Sequence, residues 1–509
     1  MASLLLGAIS GMAFFPAHCW LLAPPAIGLW FALVVGQQWR RAALMGYAYG
    51  IGFNAVAIHW AAVLGWAVLL VFVAWLAIWQ ALTAVAIALT KRWGIALGVG
   101  AACWMAGEWL CARWPFGGFG WTRLGYAMVD TPIDGLFPLI SVGGLSLICV
   151  GVAALLAMVI TWASTWRRQP LALRLALLIS LALLVVLALV FSAIGRSYQP
   201  SVDQRQIRVA VIQGNVPGKG IDALGPRYTV ERNHLAQTII LAAEVATGRQ
   251  PRPDFVVWPE NSTATDPSSD PVTTALINQA VDIIGVPILV GAIVDGPGDG
   301  QRQTVGLWWG TDHQVTARYA KRNLVPFGEW VPFKDALVKI IPVLAKTGAT
   351  SVPGTTIGVL DVTVDDQRLR IGDLICFEVS YDQTVDQIIL GDDLVGGAQI
   401  VALQTSNAMF TGSDQMIQQD AITRARAMET RRDILIATTN SLAGLVDAQG
   451  QVVDQASLET ADDLVFTVHT SSAVTPAVAG RSWFDLLGVV APLLAAGLSV
   501  IIKRRRHSD

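Results

Sequence analysis

The chain has 509 residues, of which 54% are hydrophobic and only 14% are charged, and its mean hydropathy is +0.53. Such a composition excludes an ordinary water-soluble protein and indicates a membrane protein. The 35 basic and 37 acidic residues leave a formal net charge of −2. The sequence therefore has neither the basic surface that nucleic acid requires nor an acidic tail, and we expect lipid, and no nucleic acid, as a partner.

Apolar stretches of about the length of a membrane crossing, ~20 residues, crowd the first two hundred residues. Seven spans are predicted there and an eighth near the C-terminus, at residues 3–20, 21–35, 43–64, 66–90, 94–112, 138–163, 171–193 and 484–502. The first two are short and contain Pro16, Pro24 and Pro25, which interrupt helices. The sequence thus predicts a polytopic α-helical membrane bundle with eight spans.

Basic residues indicate the orientation of this bundle, because Lys and Arg accumulate on the cytoplasmic side of short loops. They follow every second predicted span, at residues 40–41, 91–92, 167–168 and 503–506. This pattern places both termini in the cytoplasm and the long polar stretch outside it. We expect a seven-span membrane domain at 1–197, an extracytoplasmic domain at 198–482, and a C-terminal transmembrane helix with a basic cytoplasmic tail at 483–509.

From Gln206 onward, short β-branched runs alternate with amphipathic stretches, which is typical of an α/β domain. Eight strands are predicted, at residues 207–213, 255–258, 288–293, 305–309, 314–319, 369–375, 400–404 and 434–437. Three helices are predicted, at residues 229–246, 272–284 and 414–431. The polar stretch is therefore long enough and regular enough to form one folded domain with a substantial core.

Three segments of this domain place an ionisable residue just after a predicted strand, where a sheet presents side chains to a pocket. They are FVVWPEN with Glu260, RYAKRNLVPFGEWVPF with Lys321 and Glu329, and LRIGDLICFEVSY with Cys376. Taken singly, each has a structural interpretation: a carboxylate that caps a turn, a solvated lysine and an inert buried thiol. Taken together they favour acyl transfer. Glu260 can take the thiol proton of Cys376, while Lys321 and the amide of Phe377 can stabilise an oxyanion.

These segments resemble the nitrilase (carbon–nitrogen hydrolase) superfamily, whose catalytic residues are Glu, Lys and Cys in this chain order. Seven N-terminal spans and one C-terminal span around such a domain are similar to the apolipoprotein N-acyltransferases, a membrane-embedded family within it. The resemblance covers RVAVIQGNVP, VVWPEN, KRNLVPFGEWVP and ICFE in the polar domain and GFGWTRLGY in the membrane part. It implies that the extracytoplasmic α/β domain is a nitrilase-type αββα sandwich.

The resemblance also implies an activity at the bacterial cell (inner) membrane. An acyl chain passes from the sn-1 position of a phospholipid, with phosphatidylethanolamine as the expected donor, to a thioester on Cys376. It then passes to the α-amino group of the diacylglyceryl-cysteine of an apolipoprotein. Glu260 is the implied base, Lys321 the oxyanion-stabilising cation and Cys376 the nucleophile, and Glu329 and Glu378 match additional glutamates of the family. No metal or other cofactor is implied, and we expect a monomer.

Residues expected to contact the lipid substrates lie beside and beyond the LVPFGE segment. The apolar run at 330–333 and 337–344 predicts either a membrane-dipping arm over the site or a buried core helix, and the sequence leaves both open. The predicted contact residues are Trp330, Phe333, Ile341, Leu344 and Met409. In SNAMFTGS, Met409 stands where many family members have an aromatic residue, and Phe377 replaces a frequent Tyr.

Other functions fit parts of the sequence. A membrane-tethered amidase would use the same triad with water as the second nucleophile, and would release ammonia from small amides. A transporter or scaffold needs paired ionisable residues in its spans, whereas Glu108 is nearly alone there. Glu108 is either a functional residue or, the interpretation we favour, a structural one that is solvated or paired with Arg113. A Cys–His protease has no local signature among the scattered histidines.

Overall fold

The computed structural model describes residues 1–90, 93–163, 167, 169–199, 203, 205–216, 218, 225–326, 328–330, 350–481, 483, 485–490 and 494. The chain divides into two compact units. The first comprises Met1–Tyr198, Ile417–Ala421 and Ala479–Asp509, and the second comprises Gln199–Met416 and Ile422–Val478. Most of the predicted span at 484–502, the basic tail, and Phe333, Ile341 and Leu344 lie outside the described residues.

The first unit is built from apolar helices. They are α1 (Ala2–Gly11), α2 (Ala23–Val34), α3 (Trp39–Ala57), α4 (Trp66–Leu89), α5 (Trp93–Cys111), α6 (Phe137–Trp162) and α7 (Leu171–Ser197). Within the described ranges, three helical segments are long and apolar enough to cross a membrane: Trp66–Leu89, Asp134–Trp162 and Leu171–Ser197. The helix in the first predicted span is shorter than expected. It has only 10 residues, and turns containing Pro16 follow it.

Glycines bring helices α1 and α3 into backbone contact. A Cβ atom on Gly7 would lie 2.0 Å from the carbonyl oxygen of Tyr49, and one on Gly52 would lie 2.1 Å from that of Leu4. Only a residue without a side chain permits this approach. Small residues at helix contacts are the usual means of packing in a membrane, where lipid removes the hydrophobic drive between helices.

The second unit contains two mixed β-sheets. The strands are β1 (Gln206–Gln213), β2 (Phe255–Val257), β3 (Ile288–Asp295), β4 (Gln301–Trp309), β5 (Val315–Ala320), β6 (Thr350–Ser351), β7 (Val359–Val364), β8 (Gln367–Ile375), β9 (Ile400–Thr405), β10 (Ile434–Thr438), β11 (Gly444–Val446), β12 (Val452–Gln455) and β13 (Asp462–His469). The first sheet has the order β13-β1-β2-β3-β4-β5, with β6 beside β4, and the second has the order β12-β11-β10-β9-β8-β7. Strands β1, β2 and β3 are mutually parallel, as are β8, β9 and β10.

The two sheets pack face to face with helices on their outer faces. One buried apolar cluster joins β1, β2 and β4 of the first sheet to β8, β9 and β10 of the second. A second cluster packs helices α8 (Thr229–Ala246) and α9 (Pro271–Ile284) against the outer face of the first sheet. Helix α10 (Asp382–Leu390) covers the second sheet, where Ile388 contacts Gly372. The layers are therefore helix, sheet, sheet and helix, as in a nitrilase-type domain.

All eight predicted strands and all three predicted helices are confirmed to within a few residues, the third helix being α11 (Gln415–Thr430). The sequence patterns missed strands β6, β7, β11, β12 and β13, helix α10 and the short helix α12 (Pro476–Ala479). Most of the missed strands are short or exposed: all four residues of β12, for example, are exposed. Short or exposed strands lack the apolar alternation by which a half-buried strand is recognised in a sequence.

Candidate active site

The three predicted catalytic residues follow the carboxyl ends of three different strands. Glu260 comes after β2, Lys321 directly after β5, and Cys376 directly after β8. Strand β4 runs antiparallel to both β3 and β5, so β5 points in the same direction as β3 and β2. The carboxyl ends of β2 and β5 therefore lie at the same edge of the first sheet.

Lys321 lies between two carboxylates. Its Nζ donates to Glu260 Oε1 and to Glu329 Oε1, both at 2.8 Å. The Lys321 side chain is 1% exposed, and those of Glu260 and Glu329 are 4% and 16% exposed. The other oxygen of Glu260 accepts the Ser406 N–H at 2.8 Å, just after β9. One buried cation thus holds both glutamates, and a backbone amide of the second sheet fixes the orientation of the first.

Burial and charge act in opposite directions on these groups. Burial raises the pKa of the Glu260 carboxyl, and Lys321 opposes that rise. Burial disfavours the Lys321 ammonium, but the two carboxylates outweigh it and raise its pKa well above the usual range. Burial, and then the negative charge of Glu260, raise the pKa of the Cys376 thiol to about 12. The resting site therefore contains a neutral thiol, a charged lysine and a carboxyl that is a stronger base than a solvated one.

Cys376 occupies a sharp turn between strand β8 and a short 3₁₀ helix, Cys376–Ser380. Its φ angle is +54°, a left-handed conformation that side-chain-bearing residues seldom adopt. The Thr405 side chain hydrogen-bonds to the thiol. A strained turn at the end of a strand is a common way to present a nucleophile, because the surrounding fold maintains a conformation that the isolated chain avoids.

Glu378 connects the cysteine turn to the lysine segment. Its carboxylate is fully buried and accepts four hydrogen bonds: from the backbone N–H groups of Ile375, Arg322 and Asn323 and from the Tyr319 hydroxyl, at 2.9, 2.7, 3.1 and 2.8 Å respectively. Glu378 thus fixes the backbone just before Cys376 against the backbone just after Lys321. These contacts are structural, and the supporting role of Glu378 in the reaction stays a prediction.

Residues 208–475 match the family model of carbon–nitrogen hydrolases, over more than half of the chain. The chain belongs to the carbon–nitrogen hydrolase family. Its N-terminal residues 6–155 match a second model, that of the apolipoprotein N-acyltransferase N-terminal domain. This carbon–nitrogen hydrolase domain is therefore joined, in one chain, to a membrane part of a recognised type.

Curated relatives match over different shares of their length. An apolipoprotein N-acyltransferase from Mycolicibacterium smegmatis is 30% identical over 326 residues, which is 63% of this chain and about half, 52%, of that protein. One from Photobacterium profundum is 24% identical over 98% of this chain and 94% of that protein. Among solved structures, an amidase of the nitrilase superfamily from Nesterenkonia AN1 is 15% identical, with a TM-score of 0.39, and covers 56% of this chain and 100% of its own.

The other predicted site residues take different positions in this carbon–nitrogen hydrolase. Phe377 is buried and its ring packs edge-on against that of Tyr381, with centroids 5.3 Å apart. Met409 is 39% exposed in a 3₁₀ turn, Ala408–Phe410, which follows β9. Trp330 is partly buried and forms an isolated bridge with Pro326. The Phe377 ring thus serves packing, whereas the Met409 side chain is accessible to a ligand.

Arg426, on helix α11, is a residue beside the site that the sequence did not predict. This residue is fully buried, and its guanidinium lies between the carboxylates of Asp382 and Glu429, at 2.7 and 2.5 Å. It also donates to the carbonyl oxygens of Val379 and Ser380, at 2.9 and 3.2 Å, at the end of the turn that begins with Cys376. Arg426 therefore positions the turn that carries Cys376. Its segment, ITRARAMETRR, has the composition of a solvated helix, so only the fold reveals this role.

Glu108 in the first unit corrects one prediction. Its carboxylate accepts hydrogen bonds from Trp104 Nε1 and the Leu124 N–H, both at 3.0 Å, and lies 3.8 Å from Arg123 Nε. Arg113, the expected partner, lies instead 3.6 Å from Asp485. The chain reverses after helix α5 and returns Arg123, not Arg113, to the level of Glu108. Glu108 thus belongs to a buried polar contact between α5 and the GFGWTRLGY segment.

Proposed function

We propose that this protein is an apolipoprotein N-acyltransferase of the bacterial inner membrane. The observation that carries the proposal is the buried Glu260–Lys321–Glu329 cluster, whose charges act on the thiol of the turn-borne Cys376. It occurs in a chain whose N-terminal part matches the apolipoprotein N-acyltransferase N-terminal domain. An amidase needs the first of these features but has no need of the second. Relatives that carry this name over 94% and 96% of their length add support.

The first half-reaction loads the enzyme. Glu260 accepts the proton of the Cys376 thiol, and the thiolate attacks the carbonyl carbon of the sn-1 ester of a phospholipid, with phosphatidylethanolamine as the expected donor. Lys321 and the Phe377 N–H stabilise the oxyanion. The bond to the glycerol oxygen breaks, and that oxygen takes the proton from Glu260. A lysophospholipid leaves and a thioester remains on Cys376.

The second half-reaction unloads the enzyme. The α-amino group of the diacylglyceryl-cysteine of an apolipoprotein attacks the thioester carbonyl. Glu260 accepts a proton from the attacking nitrogen, and Lys321 again stabilises the oxyanion. The carbon–sulfur bond breaks and the proton returns to the sulfur of Cys376. The product is an N-acylated lipoprotein, and the enzyme is regenerated without any cofactor.

The membrane arrangement that this reaction requires is part of the proposal. The chain crosses the membrane eight times, with a membrane domain at 1–197, a catalytic domain at 198–482 on the extracytoplasmic side, and a final helix and basic tail at 483–509. Both termini are cytoplasmic and the enzyme acts as a monomer. The alternating basic loops support this topology, because it places every cluster of cations inside.

Contacts to the substrates are also part of the proposal. The acyl chain and the lipoprotein meet Trp330, Phe333, Ile341, Leu344 and Met409, while Glu329 and Glu378 support the catalytic residues. Support comes from the apolar composition of residues 330–344 and the accessibility of Met409. Replacing Met409 with Trp, the kind of residue frequent in the family, should alter the preference for acyl chains without abolishing the loading of Cys376.

The test of the proposal is the intact mass of the detergent-purified protein after incubation with phosphatidylethanolamine. The wild type should gain one acyl group, which hydroxylamine removes, and the Cys376→Ala variant should gain none. The four cysteines other than Cys376 serve as internal controls, because peptide mapping locates the adduct. No adduct on folded wild type with several phospholipids would contradict the proposal. Ammonia release from small amides, without acyl transfer, would favour the amidase.

A further inference from the structure

Strand β8 carries a carboxyl group into the core between the two sheets. Alternate residues of this strand point inward, and Leu369, Ile371 and Ile375 belong to the inter-sheet apolar cluster. Asp373 has the same parity and is fully buried. Neither oxygen of its carboxyl group has a hydrogen-bond partner among the described residues. A carboxylate in such a place is costly unless it is neutral or paired.

The neighbouring strand β9 supplies a polar side chain at the same depth. Gln404 is also fully buried, and its Nε2 donates to the carbonyl oxygens of Trp258 and Leu289, at 2.5 and 3.3 Å. Its Oε1 has no partner within the part of the chain that the structure describes. Since only the NH₂ group can donate to two carbonyl oxygens, the amide orientation is fixed and Oε1 is an acceptor without a donor.

Gly306 on strand β4 brings the two groups together. A Cβ atom there would lie 1.9 Å from Asp373 Oδ2 and 2.9 Å from Gln404 Oε1, so both oxygens approach the space that a side chain would fill. Two acceptor oxygens that face the same buried space repel each other unless one of them carries a proton. Burial raises the pKa of Asp373 well above its usual range, and the charges of Glu378 and Glu260 reinforce the shift.

We propose that Asp373 is held as a neutral carboxylic acid that donates its proton to the Gln404 amide oxygen, and that this pair positions the general base. Gln404 is the link, because it donates to the carbonyl of Trp258, two residues before Glu260. It also lies two residues before Ser406, whose N–H binds Glu260 Oε2. The pair thus fixes both backbone segments that orient the Glu260 carboxylate. Asp373 is a positioning residue and does not touch the substrate.

The proton is tested directly by infrared spectroscopy. The wild type at neutral pH should show the C=O stretch of a protonated carboxyl group, and the Asp373→Asn variant should lack it. Asp454→Asn, the same replacement at an exposed position of strand β12, is the matched control and should leave the band in place. A spectrum without that band, or a band that survives in Asp373→Asn, would overturn the proposal.

The positioning role is tested by the rate at which iodoacetamide alkylates Cys376 at different pH values. This assay needs no lipid, so it separates the inference from the proposed function, although both rest on Glu260 as the base. Asp373→Asn keeps a donor toward Gln404 and should retain the rate to within about 2-fold and the pH profile. Asp373→Leu keeps the volume but not the donor, and should slow alkylation by up to ~10²-fold in folded protein, the scale of a misplaced catalytic group.

Gly306→Ala provides a second route to the same result, since its methyl group would displace Asp373 Oδ2. It should lower the alkylation rate in the same way as Asp373→Leu.

A purely structural role for Asp373 would lower the melting temperature of both variants and leave the alkylation profile of the folded fraction unchanged, which would contradict the proposal. Equal loss in Asp373→Asn and Asp373→Leu would also contradict it, because a carboxylate rather than a donor would then be needed. If Asp373→Leu does not fold, the Asp373→Asn profile and the infrared band decide.

Discussion

Two buried clusters in the second unit have the same arrangement of charges but different residues and chemistry. In each, one cation lies between two carboxylates: Lys321 between Glu260 and Glu329, and Arg426 between Asp382 and Glu429. The guanidinium also binds two backbone carbonyls, so it acts as a rigid crosslink. The ammonium uses two of its three donors on the carboxylates, and the third has no partner among the described residues.

This difference gives the two clusters different roles: Arg426 holds the backbone near Cys376 in place, whereas Lys321 keeps a donor for the reaction. Arg426 donates to fixed acceptors and so fixes the conformation of the backbone after Cys376. This role requires no N–H donor that is available to the substrate. A lysine with a donor to spare can meet a charge that develops only during the reaction, which is where electrostatic stabilisation lowers a barrier. Asp373 completes the comparison as a buried carboxyl without a cation, held instead by a proton.

The largest effect is expected from Glu260→Gln, which removes the proposed general base from the Lys321 cluster. The amide retains the shape of the side chain but cannot accept the thiol proton, so acylation of Cys376 should slow by ~10²–10⁴-fold. Single-turnover intact mass measures this rate. The melting temperature should change little by comparison, and acylation within a few-fold of the wild-type rate would show that Glu260 is not the base.

The next effect concerns the structural cluster. Arg426→Met removes a cation from two buried carboxylates and should cost about 3–5 kcal/mol of stability, the typical cost of breaking a buried ion pair from one side. Thermal unfolding in detergent monitors the change. Arg368→Met is the matched control, because Arg368 also pairs with a carboxylate, Asp361, but its side chain is 66% exposed. If both variants unfold at the same temperature, the crosslink assigned to Arg426 is wrong.

A smaller effect is expected on pH dependence. Acylation needs the Glu260 carboxylate, so the rate should fall as the pH falls through the pKa of that group. The negative charge of Glu329 helps to raise this pKa, so Glu329→Gln should lower it and move the acid limb of the profile to lower pH. Glu244→Gln, on helix α8 beside Arg249, is the control and should leave the limb in place. A shift to higher pH would contradict the electrostatic account.

A further effect concerns the pH dependence of stability at Asp373. The folded protein keeps this carboxyl protonated, whereas the unfolded chain releases the proton above pH ~4. The wild type is therefore progressively destabilised as the pH rises, by up to about 1.4 kcal/mol per pH unit while the folded group stays protonated. Asp373→Asn lacks this penalty, so its advantage in melting temperature should be larger at pH 8 than at pH 5. An advantage that does not change with pH would argue against a protonated Asp373.

Much of the reactive cluster could be predicted from sequence because its residues follow recognisable strands. FVVWPEN and DLIC each end a run whose β-branched and apolar residues identify a buried strand, and RYAK ends the mostly exposed strand β5, so the positions of Glu260, Lys321 and Cys376 at strand ends followed. Gly7 and Gly52 could not be interpreted in that way. Their role depends on which helix lies opposite, and periodicity does not contain that information.

The structural cluster was hidden for a related reason. Arg426 and Glu429 lie in a helix whose charges look solvated, and Asp382 lies 44 residues away from Arg426 along the chain. Strand β13 pairs with β1 from the far end of the domain, so its position at the sheet edge depends on long-range pairing. Local pattern identifies elements that bury one face. It does not identify partners that meet only after the sheets have assembled.

In the proposed reaction, the acyl group of a thioester on Cys376 is passed to an amine rather than to water. The most direct measurement isolates the acylated enzyme, mixes it with a diacylated lipopeptide that has a free α-amino group, and follows both masses with time. We expect the acyl group to leave the enzyme and to appear on the peptide nitrogen, while an N-acetylated lipopeptide accepts nothing. Release as free fatty acid at the same rate with or without the peptide would contradict the account and identify a hydrolase.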